Sequence, residues 1–277
     1  MISVLALTLV SFQLGNPSVS SMLPNTMICL FEKTEEFREA YEVSPGTKLQ
    51  VINVNGDIEL KKWDKDYVEV HATKKTNRDR DELAKVRVEV VTGDELEIRT
   101  EYLEKNAHVS VDYRVRVPGY VVVQKVSTSN GDIELKEIKG DAKVMTSNGD
   151  VDLKDVVGIV QVQTANGGID IRGATVIIEA RTSNGDILAQ IRQILDGGVE
   201  IATSNGSIDL FVSGKLNADL NCATSMGEVS IDDIGLQSRF TTRTGSSVQL
   251  RGLIGKGGAL IQVQTSNGDI RLKGLGE

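Results

Sequence analysis

The sequence predicts an all-β fold, a single-stranded, β-helix-like β-solenoid of about eight coils joined to an N-terminal antiparallel β cap. Three observations predict it: a returning motif, apolar residues that alternate with period two, and a composition poor in aromatics.

The motif is Thr128-Ser129-Asn130-Gly131-Asp132-Ile133, with close copies beginning at Thr146, Thr164, Thr182, Thr203, Thr224 and Thr265. Its spacings are 18, 18, 18, 21, 21 and 41 residues, and the last gap leaves room for one degenerate copy near Phe240 to Leu250. A fixed period of this length marks units that bury a core only by stacking on one another. Two residues before each Thr stand Val126, Val144, Val162, Ala180, Ile201, Cys222 and Val263; five after it stand Ile133, Val151, Ile169, Ile187, Ile208, Val229 and Ile270. Around these columns the chain alternates, as in Ile133-Glu134-Leu135-Lys136, which is a strand with one wet face. Only 4% of residues are aromatic while Gly numbers 27, as suits a thin core of Val, Ile, Leu and Thr with Gly at the corners.

In chain order, residues 1–31 differ from the rest. The apolar run Ile2 to Val10 is too short to span a bilayer and suits a secretory h-region, although no Lys or Arg precedes it. A start at Met22 or Met27, or a membrane-adsorbed tail, are the other readings. An exported or envelope-associated protein is the expectation. Residues 32–119 form the cap: alternating strands, a hairpin turning at Thr92-Gly93-Asp94-Glu95, a charged connection from Lys74 to Lys85, and an early copy of the motif at Asn53 to Leu60. Val117-Pro118-Gly119 ends it, because Pro cannot donate to a ladder. Residues 120–277 are the coils. A second Gly in most of them, for example Gly140 and Gly158, gives each two corners and a flattened two-sheet section. The crossover preference makes the coiling right-handed. The last coil, at Ile270-Arg271-Leu272, should leave an exposed edge open to self-association.

Asn53-Val54-Asn55-Gly56-Asp57-Ile58-Glu59-Leu60-Lys61-Lys62-Trp63-Asp64, Val68 to Lys74 and the TSNGD coils together resemble the prokaryotic putative-adhesin family of β-strand-repeat proteins, over roughly Glu32 to Glu277. That resemblance implies a β-solenoid, often exported or envelope-associated, with an adhesive or envelope role, no established catalysis and no agreed site residues.

Asn130-Gly131, Asn148-Gly149 and Asn184-Gly185 read as turn devices that supply positive φ. Thr128, Thr146, Thr164 and Thr182 read as a ladder, each hydroxyl able to bond its neighbour one coil away. Asp132, Asp150, Asp186 and Asp269, with Asp57 and Glu228, form an acidic row after the turn Gly that could hold Ca²⁺, which takes six to eight oxygen ligands. The alternative is that each acid caps its own turn. Outward Asp152, Lys154, Asp170, Arg172 and Arg181 could serve a polysaccharide-acting enzyme or merely be solvated. His71 and His108 fit no metal spacing, and no nucleophile elbow, P-loop or dinucleotide fingerprint is present. The formal charge of −8, with Lys and Arg dispersed, disfavours nucleic acid. Trp63, the only Trp, should pack the cap onto the first coil. Cys222, in an inward column, should be a buried thiol, not a partner of Cys29. The sequence thus points to a non-enzymatic rod that presents a polar face to an envelope component, polysaccharide or protein.

Overall fold

The computed structural model describes residues 32–276; the leader-like segment and Cys29 lie outside them. The chain opens with β1 (Lys33–Glu42), β2 (Lys48–Ile52), β3 (Ile58–Trp63) and β4 (Tyr67–Thr76), then a 3₁₀ turn at Arg80–Lys85. There follow β5 (Val86–Val91), β6 (Glu95–Tyr102) and β7 (Ser110–Pro118). From here the strands come in pairs, one to each side of an Asn-Gly corner: β8 (Val122–Ser127) with β9 (Ile133–Lys136), β10 (Ala142–Met145) with β11 (Val151–Lys154), and β12 (Ile159–Gln163) with β13 (Ile169–Arg172). The pattern continues with β14 (Val176–Arg181) and β15 (Ile187–Ile191), β16 (Val199–Ala202) and β17 (Ile208–Ser213), β18 (Ala218–Met226) and β19 (Val229–Asp232). The last are β20 (Leu236–Thr244), β21 (Ser247–Ile254), β22 (Ala259–Asn267) and β23 (Ile270–Leu275).

Two parallel-rich sheets result, one of 11 strands in the order β1-β4-β7-β3-β9-β11-β13-β15-β17-β23-β19, the other of 12 in the order β20-β21-β18-β22-β16-β14-β12-β10-β8-β2-β6-β5. Equivalent residues stack: Val126 on Val144 on Val162, and Ile133 on Val151 on Ile169. Both columns are buried between the sheets, where each Val or Ile contributes roughly 1.5–3 kcal/mol on leaving water. The early motif copy joins the same stack. β2 pairs with β8 and β3 with β9, so Asn55 meets Asn130 directly although 75 residues separate them.

Three expectations are corrected. The segment near Phe240 to Leu250 is no coil: β20 and β21 form an antiparallel hairpin across Gly245-Ser246, with a register irregularity between Gln237 and Phe240. It sits at one end of the 12-stranded sheet. The last coil is not an edge either. β22 and β23 are inserted between the β16–β17 and β18–β19 coils, parallel to both, so β19 and β20 are the terminal strands there. Finally, Trp63 lies half-buried at the end of β3, where its Nε1 donates to the Tyr67 carbonyl at 2.9 Å and its ring meets that of Tyr67 edge-on at 4.8 Å. Cys222 is a buried free thiol whose ionisation burial disfavours.

Candidate functional site

The motif residues build a corner that repeats along the rod, and each side chain there has a backbone or like partner one coil away. Asn148 Nδ2 donates to Asn130 Oδ1, Asn166 to Asn148 and Asn184 to Asn166, each at 2.8 Å, and the series runs on through Asn205 and Asn267. An amide carries a donor and an acceptor, so a stack of Asn satisfies itself. At one end Asn55 Nδ2 donates to the Tyr102 hydroxyl; at the other Met226 stands where the next Asn would be. Sequence reading took these Asn as turn formers and missed the ladder, although an Asn at the same place in successive coils was its signal.

The Thr hydroxyls do not bond one another. Each donates to a glycine carbonyl of the neighbouring coil: Thr128 to Gly56, Thr146 to Gly131, Thr164 to Gly149 and Thr182 to Gly167, at 2.9–3.1 Å. The glycines also differ from a tight-turn residue. Gly131 and Gly149 have φ of 149° and 153°, and a Cβ at Gly149 would lie 2.0 Å from the Gly131 carbonyl oxygen. Close approach of coil to coil, in a region of φ open essentially to Gly alone, dictates the residue. The same holds at Gly185, against Gly167.

Each Asp of the acidic row uses Oδ1 to accept the backbone N–H of the equivalent residue in an adjoining coil. Asp132 accepts from Asp150 at 2.8 Å, Asp150 from Gly168 at 2.7 Å, Asp186 from Ser207 at 2.7 Å and Asp269 from Glu228 at 3.0 Å. Among the described residues no group of three or more His, Cys, Asp or Glu is disposed to hold a metal ion. The row therefore caps backbone between coils.

Two charged columns run side by side on the outer face of the 11-stranded sheet. Register places Glu59, Glu134, Asp152 and Asp170 in one, and Arg116, Lys61, Lys136, Lys154 and Arg172 in the other, two residues further along each strand. At ~4.8 Å per strand the basic column spans roughly 19 Å. Lys136 pairs with Glu134, and Arg172 with Asp170 at 2.7 Å, whereas Lys61 and Lys154 have no ion-pair partner among the described residues. Asp152 is likewise without a paired cation. Partial desolvation, with repulsion from Asp170 and Glu134, holds its pKa above the usual carboxylate value.

Where the basic column meets the end of β3 a cleft of about 300 Å³ opens, lined by Glu59, Lys61, Lys62, Trp63, Arg114 and Arg116 among others. Lys65 Nζ lies 4.8 Å from the Trp63 ring centre and the Arg116 guanidinium 5.8 Å from it, both within cation–π range. On a chain of net charge −8 this is a cationic, aromatic corner.

Fold and surface together define an all-β repeat protein whose coils stack through shared corners. The family model of Toastrack DUF4097 matches residues 122–273, more than half of the sequence, and the chain belongs to that family. Its structure is similar to those of a putative adhesin from Bacteroides fragilis (14% identity, 87% of this chain and 97% of that one, TM-score 0.44) and a putative cell adhesion protein from Clostridium sporogenes (10% identity, 88% and 100%, TM-score 0.36). A putative adhesin from Parabacteroides merdae is also similar (11% identity, 87% and 97%, TM-score 0.24). No curated protein matches.

Proposed function

We propose that this chain is a non-enzymatic binding rod of the cell envelope, closed at one end by the β1 to β7 region as a cap, which holds an acidic polysaccharide along its 11-stranded sheet. The observation that carries the reading is the basic column from Arg116 to Arg172, with unmatched Lys61 and Lys154, leading into the Trp63 cleft. A carboxylate-bearing sugar chain laid across the strands meets cations at a fixed spacing, and the half-buried Trp63 ring gives its end an apolar contact. The apolar run at Ile2 to Val10 supports the envelope assignment.

Calorimetric titration with polygalacturonate oligomers of increasing length tests this. Affinity should climb with length until the oligomer outgrows the column, because each added contact is intramolecular. Replacing Lys61 and Lys154 by Gln should weaken binding by about tenfold, equivalent to roughly 1.4 kcal/mol. Acidic oligomers that fail to bind, or binding indifferent to both lysines, refute the reading; release of reducing ends from the oligomer refutes the non-enzymatic part alone.

A further inference from the structure

Two terminal strands at opposite ends of the described rod, β20 and β1, carry opposite charge. From Ile234 to Gly268 the sequence has no Asp or Glu, but it has Arg239, Arg243, Arg251 and Lys256. Within that stretch β20 is the terminal strand of the 12-stranded sheet, and every residue after Leu236 in it is exposed, Phe240 to 65%. It contains no Pro, the device that most simply blunts an edge. In an antiparallel pair only alternate N–H and C=O groups face the partner, so those of β20 that turn away from β21 are open to a further strand. At the opposite end β1 is the terminal strand of the 11-stranded sheet, ten residues long against the nine of β20, again without Pro. It holds Glu35, Glu36, Glu39 and Glu42 against Lys33 and Arg38.

We propose that β20 of one molecule adds to β1 of a second copy, so that the rods join head to tail. Strand addition supplies main-chain hydrogen bonds, and charge selects the pairing. Two β20 edges would bring Arg near Arg and two β1 edges Glu near Glu, whereas the mixed junction sets Arg239 and Arg243 against carboxylates. Glu35 is engaged by Lys74, Glu36 lies 3.7 Å from His71 and Glu39 accepts from the Tyr41 hydroxyl through one oxygen; Glu39 and Glu42 lie on opposite faces of β1, so whichever face the arginines take, one of these two acids meets them. A head-to-tail contact uses two different surfaces and leaves a free β20 and a free β1 on every dimer, so assembly continues past two copies into a string of rods.

Sedimentation velocity of the full chain over a range of concentrations at low salt is the test. Mass should rise with concentration past the dimer and fall back as salt screens the junction. Arg239→Glu with Arg243→Glu, and separately Glu39→Arg with Glu42→Arg, should each leave monomers whose thermal unfolding matches the parent, since these positions are exposed. Mixing the two variants should restore growth, because each then finds its complementary edge on the other. A parent that stays monomeric, a plateau at dimer, or variants that assemble like the parent each overturn the proposal.

Discussion

Replacing Gly149 by Ala probes the stacking logic most directly. The substitution adds one methyl group to an exposed corner, so a surface-loop view expects little change. The geometry says otherwise. The residue sits at φ 153°, and backbone strain there costs of order 1–3 kcal/mol for any side chain. The new Cβ would lie 2.0 Å from the Gly131 oxygen and 2.5 Å from its carbonyl carbon, both backbone atoms that cannot rotate away. Relief requires the coils to part, at an overpacking cost of about 1–3 kcal/mol. Parting also stretches the Asn148 to Asn130 bond and the Thr146 to Gly131 bond. The sum is about 2–6 kcal/mol, or on the order of 10 °C in Tm for a domain of this size. Gly214 is the control: nothing lies within 4 Å of its added Cβ and its φ is ordinary, so Gly214→Ala should stay within about 0.5 kcal/mol. Urea unfolding with hydrogen exchange at the amides of coils β8–β9 and β10–β11 reads both variants, since a linear stack can lose one junction before the rest. A Gly149→Ala variant within about 1 kcal/mol of the parent, with unchanged protection, would refute the claim that close approach selects these glycines.

Thr164→Val removes the one hydrogen bond to the Gly149 carbonyl at a buried site, and should cost about 1–2 kcal/mol in denaturant unfolding after allowance for the added methyl. Met226→Asn should stabilise by roughly 0.5–1 kcal/mol, because its Nδ2 can donate to Asn267 Oδ1 and extend the ladder while an exposed thioether is removed; a lower Tm would contradict this. The raised pKa of Asp152 means that the unfolded chain gives up this proton more readily, so its charge destabilises the fold at neutral pH and ceases to do so as the group protonates in acid. Asp152→Asn should therefore raise Tm at pH 7 and leave it nearly unchanged near pH 3; the reverse order would refute the cause given. Chelator against millimolar Ca²⁺ should leave Tm unmoved, since the row acids already accept backbone N–H groups, and a rise that disappears when Asp132, Asp150 and Asp186 become Asn would restore the metal reading.

Much of the fold was legible because stacking repeats the same demand at the same place. Inward Val144 and Val162, or Ile133 and Val151, announce themselves by spacing, and both columns are where the period puts them. What spacing does not encode is the order of coils in space. The segments ending in Thr224 and Thr265 present nearly the same inward pattern, so either could stack on β16; a clue lay in Met226, since only the coil at the end of a ladder can dispense with the Asn. The Phe240 hairpin was hidden because Val248 and Leu250 alternate as a coil strand would. Thr was placed correctly but for another reason, and Gly has the positive φ expected of it together with a second constraint, as the sequence shows neither the carbonyl that a hydroxyl finds nor the 2.0 Å approach that excludes a Cβ. The basic column was half visible. Lys136 and Lys154 are one period apart, but Lys61 and Arg116 join them only through the pairing of β3 with β7 and β9.

A stacked coil forces every residue type to meet its own kind, and the chemistry of each position follows. Amides tolerate this, since donor meets acceptor, and so does a Thr above a glycine carbonyl. Carboxylates and ammonium groups do not, having only acceptors or only donors. At the corner the conflict is removed by giving each Asp a backbone N–H. On the sheet face it is only partly removed, by cross-column pairs such as Glu134 with Lys136 and Asp170 with Arg172. Between those pairs Lys61, Lys154 and Asp152 keep charges that the fold itself does not match, at the spacing of the strands. Thr or Gln at these places would stack without that penalty. Under the proposed function, an acidic polymer laid along this column toward Trp63 would supply the counter-charge that Lys61 and Lys154 lack.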